Sequence, residues 1–187
     1  MEARLRDAAK AFERERYQEA RKLLVPLADR MPDNPAVREL LGLTHYRTGR
    51  WKQAIAELEA FRALTGSTEQ HPVLADCHRA LRRWGEVEAL WDELREVSPS
   101  AALVTEGRIV VAGSLADRDR LGDAIALLEK GFRFPRQPQT HHLRRAYALA
   151  DLHERAGDLP HARSLFERVA NVAPDFGDVE DRVRSLR

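Results

Sequence analysis

Leu41-Gly42-Leu43-Thr44-His45-Tyr46-Arg47-Thr48-Gly49-Arg50-Trp51-Lys52-Gln53-Ala54-Ile55-Ala56-Glu57-Leu58-Glu59-Ala60-Phe61 is the stretch that decides how this chain folds. Thr48-Gly49-Arg50 breaks it in two. Beyond the break Trp51 opens a run in which Ala54, Leu58 and Phe61 follow one another at intervals of four and three, the one-face period of an α-helix. Before it, Leu41-Gly42 and His45-Tyr46 lie on a first helix, and Gly49 ends that helix cheaply because a positive φ costs glycine little. The stretch reads as two helices joined by a tight turn.

The same signature recurs in both directions. A small residue, a large apolar residue four on and another apolar or small residue three further on appear as Ala20, Leu24, Leu27; Ala54, Leu58, Phe61; Val87, Trp91, Leu94; Ala124, Leu128, Gly131; and Ala162, Phe166, Val169. The leading residues are 34, 33, 37 and 38 apart. Three residues before each stands a bulky side chain: Tyr17, Trp51, Trp84, Leu121 or Leu159. Pro32, Pro99 and Pro174 each lie twelve residues after their small residue, where they stop a repeat and cannot be absorbed mid-helix.

Leu41-Gly42, an aromatic at Tyr46, then Ala54 and Phe61 at set offsets resemble the consensus of the tetratricopeptide repeat family. Leu149-Ala150, His153, Gly157, Ala162, Phe166 and Pro174 match it similarly, and the other three repeats match in their second helices more than in their first. The resemblance implies an all-α, right-handed α-solenoid of about five helix–turn–helix repeats in a single domain over 1–187. The repeats run approximately 1–34, 35–67, 68–101, 102–139 and 140–175, with a C-terminal capping helix over 176–187. Helix pairs are expected at 2–14 and 17–30, 35–48 and 51–64, 71–82 and 85–96, 101–117 and 121–132, and 141–156 and 159–172. Small residues (Gly42, Ala75, Ala112, Ala150) sit where paired helices approach closely, and no repeat buries its apolar stripe without a neighbour. The capping helix is expected to bury Val179, Val183 and Leu186 and to solvate Asp178, Glu180, Asp181, Arg182, Arg184 and Arg187. Irregular stretches precede Ala101 and follow Gly131.

Composition agrees. Charged residues make up 33 %, above the usual quarter, which suits helices with solvated outer faces. Yet 31 basic residues nearly cancel 30 acidic ones, so the chain lacks the field that drives non-specific nucleic-acid or membrane binding. The lone Cys77 forms no intrachain disulfide, and Met1-Glu2-Ala3-Arg4-Leu5-Arg6 is no signal peptide, so a cytoplasmic protein is expected. The Arg-over-Lys bias suggests a GC-rich bacterial source.

No enzyme motif survives testing. Asp117-Arg118-Asp119-Arg120-Leu121-Gly122 fails as a calcium loop, because Leu121 and Leu128 stand where ligands belong. His153-Glu154 lacks the second histidine of a zinc-protease helix. Gly113-Ser114 lacks the second glycine of a nucleophile elbow. His45, His78 and His153 share one slot in three repeats, so a repeat translation separates them and they do not converge on one ion. The expectation is a non-enzyme with no cofactor and no metal.

By family resemblance the first helices line a concave face. The positions this carries over are Phe12, Glu39, Leu43, Tyr46, Arg47, Asp76, Arg79, Ile109, Gly113, Tyr147, Asp151, Glu154 and Arg155, with Tyr46, Arg79 and Tyr147 as the anchors. The Lys and Asn clamp with which some members grip a chaperone tail is replaced by Leu5, Ala9, Leu40, Glu69 and Val73. The expected role is a protein–protein interaction scaffold that binds a protein or peptide partner in the groove. Two alternatives are self-association through the apolar start around Leu5, Ala8, Ala9 and Phe12, giving a homo-oligomer, and RNA binding through Arg79, Arg82, Arg83, Arg144 and Arg145.

Overall fold

A computed structural model describes residues 2–186. Eleven helices account for the ordered secondary structure of these residues: α1 (Glu2–Glu13), α2 (Tyr17–Arg30), α3 (Pro35–Arg47), α4 (Trp51–Thr65), α5 (His71–Ala80), α6 (Trp84–Val97), α7 (Ala101–Ala116), α8 (Leu121–Glu129), α9 (Thr140–Arg155), α10 (Leu159–Ala170) and α11 (Val179–Ser185). The first ten form five antiparallel hairpins. They divide into two compact units, Met1–Val97 and Ser98–Arg187.

In the first unit α1 pairs with α2, α3 with α4 and α5 with α6, while α2 packs on α3 and α4 on α5. The repeating pattern is its core: Ala20, Leu24, Ala54, Leu58 and Val87 are wholly buried, and Leu27, Phe61, Trp91 and Leu94 nearly so. Gly42 has a specific role here, because a Cβ on it would stand 2.7 Å from both Cγ and Cδ2 of Leu58. Only glycine lets α3 and α4 come this close. The side chain of Asn34 accepts from the Val37 N–H at 3.1 Å, with Pro35 directly behind it, so α3 begins on a capped, proline-fixed first turn. Pro26 lies within the expected helix span 17–30. It sits inside α2 rather than stopping a helix, and the buried stripe of Ala20, Leu24, Leu27 and Ala28 carries the helix past the missing N–H.

In the second unit α7 pairs with α8 and α9 with α10; α9 packs on both α7 and α8, and α11 packs on α10. Ala124, Leu128, Ala162, Phe166 and Val169 are wholly buried, as is Val179 of α11. Two expectations are corrected. The helix expected to reach residue 132 ends at Glu129, and Gly131 is an exposed residue with φ +67° rather than a core position. The carbonyls at the end of α8 are met by arginines instead of another turn. Arg145 donates to Leu128 O at 2.6 and 2.8 Å and to Lys130 O at 2.7 Å, and Arg108 donates to Lys130 O at 3.0 Å. The capping helix is also shorter than expected, and Arg187 of that expectation lies outside the described residues.

Every hairpin turns in one way. The N–H groups of Arg16, Arg50, Arg83, Arg120 and Asp158 reach back five residues to the carbonyls of Ala11, His45, His78, Leu115 and His153 at 2.8–3.0 Å. The residue before each has a positive φ: Glu15, Gly49, Arg82, Asp119 and Gly157. These are Schellman closures, five times over, and glycine fills the left-handed position in only two of them.

Candidate functional site

In the first unit the first helices of the hairpins, α1, α3 and α5, pack side by side. This places seven of the expected site residues on neighbouring helices. Tyr46 of α3 donates its hydroxyl to Asp76 Oδ2 of α5 at 2.8 Å, and Arg79 donates to Asp76 Oδ1 at 2.9 Å. The Tyr46 ring stands edge-on to Trp51 at 5.7 Å, so its orientation is fixed from below as well as from its tip. Earlier on the same helix, Glu39 accepts from Gln70 Nε2 at 2.8 Å. Arg47 lies over the Tyr17 ring at 4.8 Å and 3.5 Å from Glu15, and Phe12 meets the same ring edge-on at 5.4 Å. Leu43 is half-buried on this face. The result is a fixed row of aromatic, acidic and basic groups on neighbouring helices.

In the second unit the expected residues are turned to a different use. The Tyr147 hydroxyl bonds Asp178, just before α11, and its ring packs against Phe166 at 5.3 Å and Phe176 at 5.9 Å. Burial, reinforced by that carboxylate, pushes the phenol up to about 12. Arg182 of α11 bridges Asp151 at 2.7 Å and Glu154 at 2.9 Å, and stacks over the Phe166 ring at 4.9 Å. Burial alone would lower the Arg182 pKa, but the bond to Asp151 and the charges of Glu154 and Asp151 raise it. Arg182 was expected on the solvated back of the cap; it is instead the side chain through which the cap holds α9. Arg155 reaches Ala116 O at 3.4 Å, and Ile109 packs on the core of this unit. Tyr147, Asp151 and Glu154 are therefore contacts of the chain with itself. Gln70, Asp178 and Arg182 complete these networks, and no repeat signature points to them.

Three of the five arginines put forward for RNA are similarly engaged, while Arg82 and Arg83 are exposed. Arg79 holds Asp76, Arg144 holds Glu106 at 2.6 Å, and Arg145 caps α8. Burial, with the nearby Arg108 charge, brings the Arg145 pKa down to about 10.

The sequence profile of the tetratricopeptide repeat family matches residues 11–71, which spans the end of α1, all of α2, α3 and α4 and the start of α5. Over those residues the chain carries tetratricopeptide-repeat sequence. Solved structures carry the fold beyond the matched segment. A thermophilic protein of the family from Thermus thermophilus aligns over 99 % of this chain and 97 % of its own, with a TM-score of 0.76 at 20 % identity. PilF of Pseudomonas aeruginosa aligns over 99 % and 87 %, with a TM-score of 0.66 at 15 % identity. The C-terminal part of a tetratricopeptide-repeat protein from Cytophaga hutchinsonii aligns over 97 % and 69 %, at 0.64 and 14 %. No curated protein sequence matches the chain. Among the described residues, no helix of this repeat protein is long and apolar enough to cross a membrane. The fold is that of protein-interaction scaffolds in general.

Proposed function

We propose that the chain binds a protein or peptide partner on the first-helix face of its first unit, with Tyr46, Asp76 and Arg79 at the centre. The observation that carries this reading is the pre-set network of those three side chains across α3 and α5, flanked by Glu39, Leu43 and Arg47. A side chain already held in its bonding rotamer loses little entropy when a partner docks, which is how rigid aromatic and arginine anchors become hot spots. The mixed signs of Glu39, Arg47, Asp76 and Arg79 suit an extended segment or helix that carries both charges. No catalytic step is assigned to the protein.

The test is capture of partners by the full chain, compared with a Tyr46→Ala, Arg79→Ala variant and with a Tyr147→Ala variant, all of matched helicity. A partner lost by the first and kept by the second supports the assignment. A partner lost only with Tyr147→Ala moves the site to the second unit, and one kept by both moves it off the first helices. Arg79, Arg144 and Arg145 are engaged within the chain and the net charge is only +1, so no shift of labelled single-stranded RNA is expected at low salt.

A further inference from the structure

The turn between α9 and α10 gathers three side chains that partner binding leaves unused. His153 is near the end of α9, Asp158 is the N-cap of α10, and His161 lies in its first turn. The backbone fixes their places. Asp158 donates its N–H to the His153 carbonyl at 2.9 Å, and the His161 N–H points to Asp158 Oδ1 at 3.4 Å. The other carboxylate oxygen, Oδ2, lies 2.7 Å from His161 Nδ1 and 3.3 Å from His153 Nδ1. One ligand atom from each of the three residues lies within 4.8 Å of the others, and no other such group of three occurs among the described residues.

His153 is 8 % exposed, and its Nδ1 is a buried nitrogen with no hydrogen bond. Its Nε2 faces Glu129 Oε1 at 3.5 Å. A carboxylate therefore faces each ring nitrogen, and the single proton of a neutral imidazole serves only one of them. A cation on Nδ1, with the proton on Nε2 toward Glu129, satisfies both sides and the buried nitrogen that otherwise has no hydrogen bond. The separation also fits an ion: in a tetrahedron with bonds of about 2.05 Å the ligand atoms stand about 3.3 Å apart. His161 is largely exposed, so its ring is free to swing the few tenths of an ångström by which its contact with Asp158 falls short of that edge. A surface hollow of about 330 Å³, lined by Glu129, Leu149, His153, His161, Leu165 and Arg168, gives an ion access and leaves room for water.

We propose that His153, Asp158 and His161 form a binding site for a divalent transition-metal ion, zinc above all, with water completing the coordination. Two imidazole nitrogens and one carboxylate oxygen match zinc, whereas calcium and magnesium take oxygen shells. Glu129 orients His153 from behind, as carboxylates do for metal-bound histidines. The ion joins the end of α9 to the start of α10. The expectation of no metal arose from comparing equivalent slots in different repeats. Asp158 and His161 belong to the turn and the next helix, so that comparison passes over them.

The experiment is calorimetric titration of the chelator-stripped full chain with zinc chloride near pH 7.5, paired with melting curves. The expected result is saturable binding of one ion per chain and a higher melting temperature with zinc. His161→Ala and Asp158→Asn each weaken binding by about tenfold or more. Neither change disturbs the metal-free fold, since His161 is exposed and asparagine caps as aspartate does. His141→Ala, in the His141–His142 pair at the start of α9, leaves the affinity unchanged. Absence of saturable binding overturns the proposal. So does equal affinity in His161→Ala and wild type, or loss of binding in His141→Ala, since either makes the zinc an adventitious ligand of other histidines.

Discussion

A single methyl group tests the packing between α3 and α4. Alanine at Gly42 gains roughly 0.5–1 kcal/mol of helix preference. Its Cβ also meets Leu58 at 2.7 Å, with the Leu58 backbone nitrogen at 3.3 Å, so relief requires the helices to part. Overpacking of this kind costs about 1–3 kcal/mol. Gly42→Ala is therefore expected to lower stability in urea unfolding, and Leu58→Ala is expected to be less harmful in that variant than in wild type. Buried imidazoles set a second expectation. Desolvation lowers the pKa of His45 and of His78 below 6.5, outweighing the attraction of Glu57 on the first and Glu86 on the second. Below pH 6.5 the unfolded chain then binds protons that the folded chain refuses, so stability falls with pH by up to about 1.4 kcal/mol per unit for each such proton. Imidazole proton shifts of His45 and His78 should titrate below pH 6.5 in nuclear magnetic resonance, and the melting temperature should drop across the same window. Titration at 6.5 or above would remove this source of acid sensitivity. The burial of these histidines is legible in the sequence, since they share one slot in their repeats. The pairing of Arg182 with Asp151 and Glu154 is not legible, because a residue outside the repeats has no slot to be compared with.

Among elements, the hairpin turns separate what periodicity reveals from what it hides. Glycine marks the turns at Gly49 and Gly157, but Glu15, Arg82 and Asp119 adopt the same left-handed conformation without any compositional sign. Their hydrogen bonds match those of the glycine turns, so the Schellman closure and the packing behind it impose the conformation. A left-handed non-glycine residue costs about 1–2 kcal/mol, and part of any relief is returned through the more flexible unfolded chain. Glu15→Gly and Arg82→Gly are each expected to stabilise by roughly 0.5–1 kcal/mol, whereas Gly157→Ala destabilises by a similar amount; thermal melts of the three variants decide it. Helix α8 is the element that the sequence places least well. Its third pattern position is Gly131, which satisfies the small-or-apolar rule while ending the helix, and the arginines that cap it come from α7 and α9. Lysine cannot reproduce the forked donors that serve Leu128 and Lys130 together. Arg145→Lys should therefore lower stability by about 1–3 kcal/mol, close to Arg145→Ala. Recovery of wild-type stability in the lysine variant would reduce Arg145 to a simple charge at a helix end.

For the whole molecule, the repeat period runs through residues 97 and 98, and the connection expected to be longer before Ala101 is only three residues, so the sequence reads as one array where the contacts define two units. A period reports what each repeat buries, and it is silent about how many repeats fold together. Each unit has the means to fold by itself. The first buries Leu24, Leu58, Leu74, Val87 and Leu94 within three hairpins, and the second buries Leu128, Phe166, Val169 and Val179 within two hairpins and a closing helix. Residues 1–97 and 98–187, expressed separately, are each expected to be helical by circular dichroism and to melt cooperatively. The second depends on α11, because Val179 is wholly buried and Arg182 is the partner of Asp151 and Glu154. Shortening that fragment to 98–174 removes the wholly buried Val179 and uncovers the apolar surface it packs on, worth at least about 1.5 kcal/mol, and leaves two acidic residues of α9 without their cation. At roughly 4–8 °C per kcal/mol for a domain of this size, its melting temperature should fall by about 6–12 °C. An unchanged melt would show that α11 only lies on the repeat, whereas loss of cooperativity in 98–187 itself would show that the second unit requires the first in order to fold.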